Sequence, residues 1–256
     1  MAEPLPAAAA QSARRAGLGL PGGLWRLELR AALARRRALA IKLLFPLVLA
    51  LPLALTGAPQ FFAAMLLTVL IAMVGTVGTG VSLTRSRGAG WLDRLAVLPL
   101  APWRVGLEVF LASWLLDCLQ ATLMILVLEL AQRADPLTLV STWLLALGTL
   151  AFSGALGLAV ATLTDNAGEA MLLLAVVLAP MLFLAGLFTG VPAVGPRYWI
   201  AQLLPFSYLQ NGFQLVLHGN PPYGAPGQFL VAAVVFLVVG GAAAAALGRP
   251  LLARGA

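Results

Sequence analysis

Charge is scarce in this chain. Of its 256 residues, 10% are Asp, Glu, Lys or Arg and 61% are hydrophobic. A soluble domain is nearer a quarter charged and half apolar. Cys118 is the sole cysteine, which excludes an intrachain disulfide. It lies in an apolar run and reads as a small packing residue. His218 is the sole histidine, which excludes any site that needs two. Lys42 is the sole lysine and follows Leu-Ala-Ile, so no phosphate-cradling G-x-x-x-x-G-K-[ST] loop exists. No H-E-x-x-H, no G-x-S-x-G with a histidine to serve it, and no Cys/His metal spacing occurs. The chain is therefore expected to bind no nucleotide, metal or cofactor and to catalyse nothing by itself. A carboxylate-only chemistry at Asp117 is the one enzymatic option left.

The apolar residues fall in long runs. A helix crossing a bilayer needs about 20 mostly apolar residues. Lipid offers the backbone no hydrogen-bond partners, so only helices or closed barrels cross it. These runs are far longer than the ~10-residue alternating strands of a barrel. Six spans are expected, over about residues 39–56, 61–83, 106–130, 138–163, 168–189 and 227–248. Pro46 and Pro52 predict a kink in the first. Gly57 to Gln60 allow only a hairpin turn. Residues 1–23, rich in Ala, Pro and Gly, read as a flexible tail, and residues 24–256 as one transmembrane domain.

The net charge of +7 has a side. With the N-terminus inside, every Lys and Arg except Arg133 and Arg197 falls on the inner side or just within the first span. The positive-inside rule then puts both termini in the cytoplasm. No basic stripe with interleaved aromatics lies outside the membrane, so nucleic acid is not an expected partner.

Two inner segments are amphipathic. In residues 24–38, Leu24, Leu27, Ala31 and Ala34 share a face, with Trp25 and Leu29 alongside and Arg26, Arg30, Arg35, Arg36 and Arg37 as a basic surface. Either this helix lies on the anionic inner leaflet, or it is a basic stretch that only fixes topology. Residues 84–105 read TRSRGAGWLDRLAVLPLAPWRV. Trp91, Leu95 and Leu98 recur at i, i+4, i+7, one face of a short helix. Gly88 and Gly90 loosen its entry, and Pro99 and Pro102 are expected to end it. An exposed apolar face on an inner loop wants a partner, lipid or protein.

The outer segment 190–226 is apolar but broken by Pro205 and Gly212, too interrupted to span. It reads as two short helices dipping into the outer half of the bilayer. Tyr198, Trp199, Tyr208 and Tyr223 suit the headgroup level. It is either an anchor or an extracellular gate.

Span three carries Glu108, Asp117 and Glu129. Asp117 is about 16 Å from the inner end of that span at ~1.5 Å per residue. A charge near the midplane costs roughly 2.5–3.5 kcal/mol on the insertion scale. It should face the bundle interior, with Ser113, Gln120 and Ala121 on its side of the helix. A protonated carboxyl with a neutral partner fits. Its role is either a substrate contact or latch, or a structural interhelix bond. Glu108 and Glu129 are expected to reach water or headgroups, and Glu169 to favour the N-terminus of span five. Gly75, Gly78 and Gly80 in span two, and Gly186 and Gly190 in a G-x-x-x-G, are expected at close helix contacts.

The loop at 84–105 resembles that of the ABC-2 type permeases, where a pattern close to E-R-x-x-G-T-L-E-R-L-x-x-T-P-L lies between spans two and three. Gly90, Leu92, Asp93, Arg94, Leu95, Pro99 and Leu100 fit it. Trp91 and Leu98 replace the usual threonines, and Arg85, Ser86 and Arg87 replace the acidic residues common upstream. The helix at 24–38 is similar to the family's interface helix. Asn166, Ala167, Pro180, Phe183, Leu184, Ala185, Gly186, Phe188, Leu204, Pro205 and Tyr208 fit the family's pattern from span five onward.

The resemblance implies an all-α integral membrane protein with six transmembrane helices, an interface helix, a cytoplasmic coupling helix and a re-entrant segment between spans five and six. It implies ATPase coupling through Gly90, Trp91, Leu92, Asp93, Arg94, Leu95, Leu98 and Pro99. Trp25, Arg26, Leu27 and Arg30 would belong to the interface helix. Spans one, two and five would line the path, with Asp117, Thr76, Thr79, Phe183, Phe188 and Tyr208 as path or gate residues. The expected partners are a separate ABC ATPase in two copies that binds ATP and Mg, a second permease chain, and membrane lipid. The expected place is the inner (plasma) membrane. The cargo would be an amphipathic or lipid-linked substrate or a drug moving outward. A secondary transporter or a membrane scaffold is the alternative. A secondary carrier should show two related halves, and residues 39–130 and 138–248 show no convincing repeat.

Overall fold

The computed structural model describes residues 23–34, 36–55, 60–92, 100–132, 135–191, 194–219 and 226–253. Among the described residues the fold is helical with no strand. In chain order the helices are α1 (Leu24–Ala34), α2 (Arg36–Leu55), α3 (Gln60–Gly88), α4 (Pro102–Gln132), α5 (Pro136–Leu163), α6 (Ala167–Leu184), α7 (Pro196–Leu203), α8 (Pro205–His218) and α9 (Pro226–Ala253). Five of them are long and apolar enough to cross a membrane: α3, α4, α5, α6 and α9. Helix α2 holds a shorter apolar stretch, Leu39–Leu49, and carries Pro46 and Pro52 within one unbroken helix.

Proline and short polar side chains set the helix starts. Proline at the first helical position loses a donor that would be orphaned anyway. Pro102, Pro136, Pro196, Pro205 and Pro226 each open a helix. Asp135 caps α5 by accepting from Leu137 N at 3.1 Å and Thr138 N at 3.2 Å. Asn166 caps α6 by accepting from Glu169 N at 2.9 Å, and the Glu169 carboxylate accepts from Asp165 N at 3.0 Å.

Three expectations from the sequence are corrected. Helix α3 runs on to Gly88, so Arg85 and Arg87 stand on a helix end rather than in a loop. Pro102 does not end the loop helix but begins α4, because a proline ring fits the first turn of a helix as well as it stops one. Gly186 and Gly190 are not a helix-packing pair. Helix α6 ends at Leu184, and both glycines sit in the following turn at φ of 85° and 70°, a region that L side chains rarely adopt.

Helix α5 is the centre of the bundle, packed by α9, α3 and α8, and its membrane segment is the most enclosed of the five. Close approach is possible because small residues stand where backbones meet. A Cβ on Gly148 would lie 2.5 Å from Ala233 O, and one on Gly240 would lie 2.5 Å from Ala151 C. A Cβ on Gly157 would collide with Thr76 O of α3. Where α4 crosses α9, a Cβ on Gly106 would lie 2.8 Å from Gly248 Cα. Helix α8 then inserts Phe206, Leu209 and Phe213, all fully buried.

Gly157→Ala should lower the melting temperature of the detergent-solubilised protein, because overpacking at a fixed backbone contact costs about 1–3 kcal/mol. Gly241→Ala, where no atom lies within 4 Å, should leave it unchanged or slightly raised. Equal melting curves for the two variants would contradict the close α3–α5 packing.

Candidate functional site

One end of the bundle brings together Leu24 and Leu92, one residue from each of the two segments read as amphipathic. Leu92 is fully buried, in one apolar cluster with Leu24 of α1, Leu83 of α3, Val105 and Val109 of α4, Leu158 of α5 and Leu251 of α9, with Trp91 and Leu100 packed against it. The chain leaving α3 is thus plugged into the bundle by Leu92, while Trp91 stays half-buried. Gly90, at φ 70°, makes the turn between α3 and this plug. Asp93, Arg94, Leu95, Leu98 and Pro99 lie outside the described residues.

Helix α1 is fixed to the same end by its first amide. Glu108 of α4 accepts from Leu24 N at 2.5 Å and from Arg104 Nε at 2.6 Å. A carboxylate at a helix N-terminus meets unsatisfied amides and the positive end of the helix dipole. Glu108 is thereby largely enclosed rather than open to water or headgroups. Arg26 is exposed with its guanidinium 5.1 Å from the Trp25 ring, and Arg30 is exposed too. The side chain of Leu27 lies outside the described residues. Arg87 crosses to α5 and donates to Ala161 O at 2.7 Å and Thr164 O at 2.8 Å, where helix-end carbonyls need donors.

Within the bundle, Asp117 of α4 is buried and pairs with Lys42 Nζ of α2 at 2.6 Å. Gly78 of α3 faces it, where a Cβ would lie 3.7 Å from Asp117 Oδ1. The partner is charged, not the neutral group expected. The sequence carried a signal for it: the only lysine stands within an apolar run, and a carboxyl at midspan needs a counter-charge. Ion pairing offsets much of the desolvation of both groups.

Lys42 is one-third exposed and lies on the wall of a groove of about 710 Å³ between α2 and α3. Gln120 of α4 lines it too, and the other lining side chains, among them Phe45, Leu66 and Met73, are apolar apart from Gly78. Thr76 and Thr79 do not face this groove. Both are buried towards α5, Thr76 donating to Ala72 O at 2.7 Å, and Thr79 Oγ1 lying 3.5 Å from the Cβ position of Gly154.

A second cleft of about 710 Å³ opens between α7, α8 and α9 and is lined by Tyr198, Gln202, Ser207, Tyr208, Asn211 and Gln228 with several apolar residues. Tyr208 donates to Gln202 Oε1 at 2.6 Å. Phe183 and Phe188 are about half exposed and lie outside this lining. Arg197 stands 4.9 Å from the Phe183 ring centre and donates to Phe183 O at 2.8 Å and Thr189 Oγ1 at 2.5 Å, tying α7 to the end of α6. The expected path residues therefore occupy three separate places, and only Asp117 and Tyr208 border a cavity or the group that lines one.

Lys42→Met should lower the melting temperature by leaving a buried carboxylate unpaired. Breaking a fully buried pair costs about 3–5 kcal/mol; with Lys42 one-third exposed, about 1–3 kcal/mol is expected. Lys42→Met/Asp117→Leu should recover most of the loss. A double variant no more stable than the single would argue against the pair.

Two comparisons with known proteins bear on this arrangement. No curated protein matches the sequence. The family described as ABC-2 type transporter matches residues 23–218, which take in the plug at Leu92, the Lys42–Asp117 pair and the helices α7 and α8. With most of its length matched and several helices long enough to span a bilayer, the chain is a multi-pass membrane protein and belongs to the ABC-2 type transporter family, as a transport component that is not itself catalytic.

Proposed function

We propose that this chain is the permease subunit of an ATP-driven exporter. The observation that carries the reading is the inner end of the bundle, where Leu92 joins the exit of α3 to α1, α4, α5 and α9 in one apolar cluster. A push on the segment that follows Leu92 would reach four helices at once, because close-packed interiors transmit displacement rather than absorb it. In this reading a separate ABC ATPase, two copies per complex, binds ATP and Mg and docks against residues 90–99. A second permease chain, identical or related, completes the path. Helix α2 serves as the first of six crossings, in the inner (plasma) membrane with both termini cytoplasmic, as the distribution of arginine supports. Helix α1 rides on the inner leaflet through Arg26 and Arg30. Helices α7 and α8 sit in the outer half of the bilayer.

The cargo is an amphipathic or lipid-like molecule. The lining of the α2–α3 groove supports this, since a hydrophilic ion would find one ammonium and one amide among alkyl and aryl side chains. Export then consists of ATPase closure, displacement of the segment after α3, and rocking of the spans to open the outer side.

Co-purification with a co-expressed ABC ATPase subunit tests the coupling role. Trp91→Ala and Leu95→Ala should reduce either assembly or ATPase activity in the complex by about ten-fold, the scale of one lost anchor contact of 1–2 kcal/mol. Unchanged assembly together with unchanged ATPase activity would overturn it.

A further inference from the structure

The groove between α2 and α3 has a polarity as well as a shape. Among the described residues Lys42 is the one charged residue on its wall, and the Asp117 carboxylate stands behind the ammonium, outside the lining. An ion pair seen from one end is a dipole, and the groove sees the positive end. Lys42 has three N–H donors, and the contact with Asp117 engages one Asp117 oxygen, at 2.6 Å. Gln120 also lines the groove, is 3% exposed, and its buried Oε1 has no hydrogen-bond partner. Unsatisfied buried amides are rare because each costs the desolvation of a polar group. An ammonium with donors to spare and an amide oxygen with no partner among the described residues thus share one apolar groove, long enough to border Pro52 at one end and Ile41 at the other.

We infer that this groove binds an amphiphile with an anionic headgroup, its headgroup oxygens on Lys42 and Gln120 and its alkyl chain along α2 and α3. The inference rests on the permease reading for its role as cargo, and on the geometry alone for binding. An anion on the groove side stands closer to the ammonium than to the carboxylate, so attraction exceeds repulsion. A cation in the same place meets the ammonium first and is rejected. Gln120 Oε1, an acceptor, takes the hydrogen of a headgroup hydroxyl, such as the P–OH of a singly charged phosphate monoester. Asp117 acts as a positioning residue: it holds Lys42 at the wall and moderates its pull on the ligand.

The test uses the full-length protein in neutral-lipid nanodiscs, with three probes of one chain length carrying a photoreactive diazirine: dodecyl phosphate, dodecanol and dodecyltrimethylammonium. Dodecyl phosphate should label α2 and α3 and bind at least about ten-fold more tightly than dodecyltrimethylammonium, as opposite signs of interaction at contact distance require. Lys42→Met/Asp117→Asn should abolish that preference, while dodecanol binding stays. Met73→Trp, which fills the groove without touching the pair, should reduce labelling by all three. Asp117→Asn alone should strengthen binding of dodecyl phosphate by several-fold, since it removes the repulsion and frees the ammonium; a merely structural Asp117 would not do so. Equal affinity for the three probes, or weaker binding of the phosphate by Asp117→Asn, would overturn the inference. So would labelling confined to other helices because a second copy of the chain covers the groove. If the phosphate binds as stated but no ATPase assembles with the chain, the permease reading fails and the site stands. If the ATPase assembles and responds while the headgroup preference is absent, the site fails and the permease reading stands.

Discussion

A bilayer interior offers no water to a polar group, and the helices of this chain follow from that constraint. Each long helix satisfies its own backbone. Many of the polar side chains that remain find partners on neighbouring helices or turn back on their own carbonyls. Thr68, Thr76, Thr84 and Thr149 take the second course, each donating to a carbonyl four residues earlier. Asp117 takes the first, at the expense of bringing the only lysine into the bundle. Without a hydrophobic drive between helices in lipid, packing must come from close contact, and glycine at the α3–α5, α4–α9 and α5–α9 crossings provides it.

This packing ties the two ends of the bundle through different contacts. At one end, Leu92, Leu24 and Glu108 tie the exit of α3 and the first helix to the same few residues of α4. On the other side of the bundle, Arg197 ties α7 to the end of α6, and α8 is wedged between α3, α5 and α9 by Phe206 and Phe213. Between these ends lie the α2–α3 groove and the Lys42–Asp117 pair. Helix α2, with the shortest apolar stretch of the lengthwise helices and large exposed side chains at Ile41, Phe45 and Val48, is held to the bundle mainly through α4.

Amphipathic spacing marked the segments at Leu24 and Trp91 as ones seeking partners, and Leu92, beside Trp91 but off the face that spacing picked out, packs with Leu24. Less legible were the glycines. Gly75 and Gly80 read as packing residues and do meet α5, but Gly186 and Gly190 had the same spacing and turned out to be turn residues with positive φ. Spacing cannot distinguish a helix contact from a helix end when Ala185 and Leu187 beside them are apolar in either case. Thr76 and Thr79 were expected on the path and are buried towards α5. A hydrophobic helix with threonines all round gives no rotational signal, because the apolar residues facing lipid and those facing protein look alike.

By itself the sequence determined that the chain is helical, that it is a multi-pass membrane protein, and that it resembles ABC-2 type permeases in the segment between Thr84 and Val105. These follow from composition, run length and local order, which need no neighbour to be read. Only the tertiary structure decided that Lys42 is the counter-charge of Asp117, that Gln120 shares a groove with it, and that Glu108 seats the first helix. Each of these joins residues distant in sequence through one ion pair, one cavity or one amide. Their register depends on how glycine lets α3, α5 and α9 approach, which no single segment encodes.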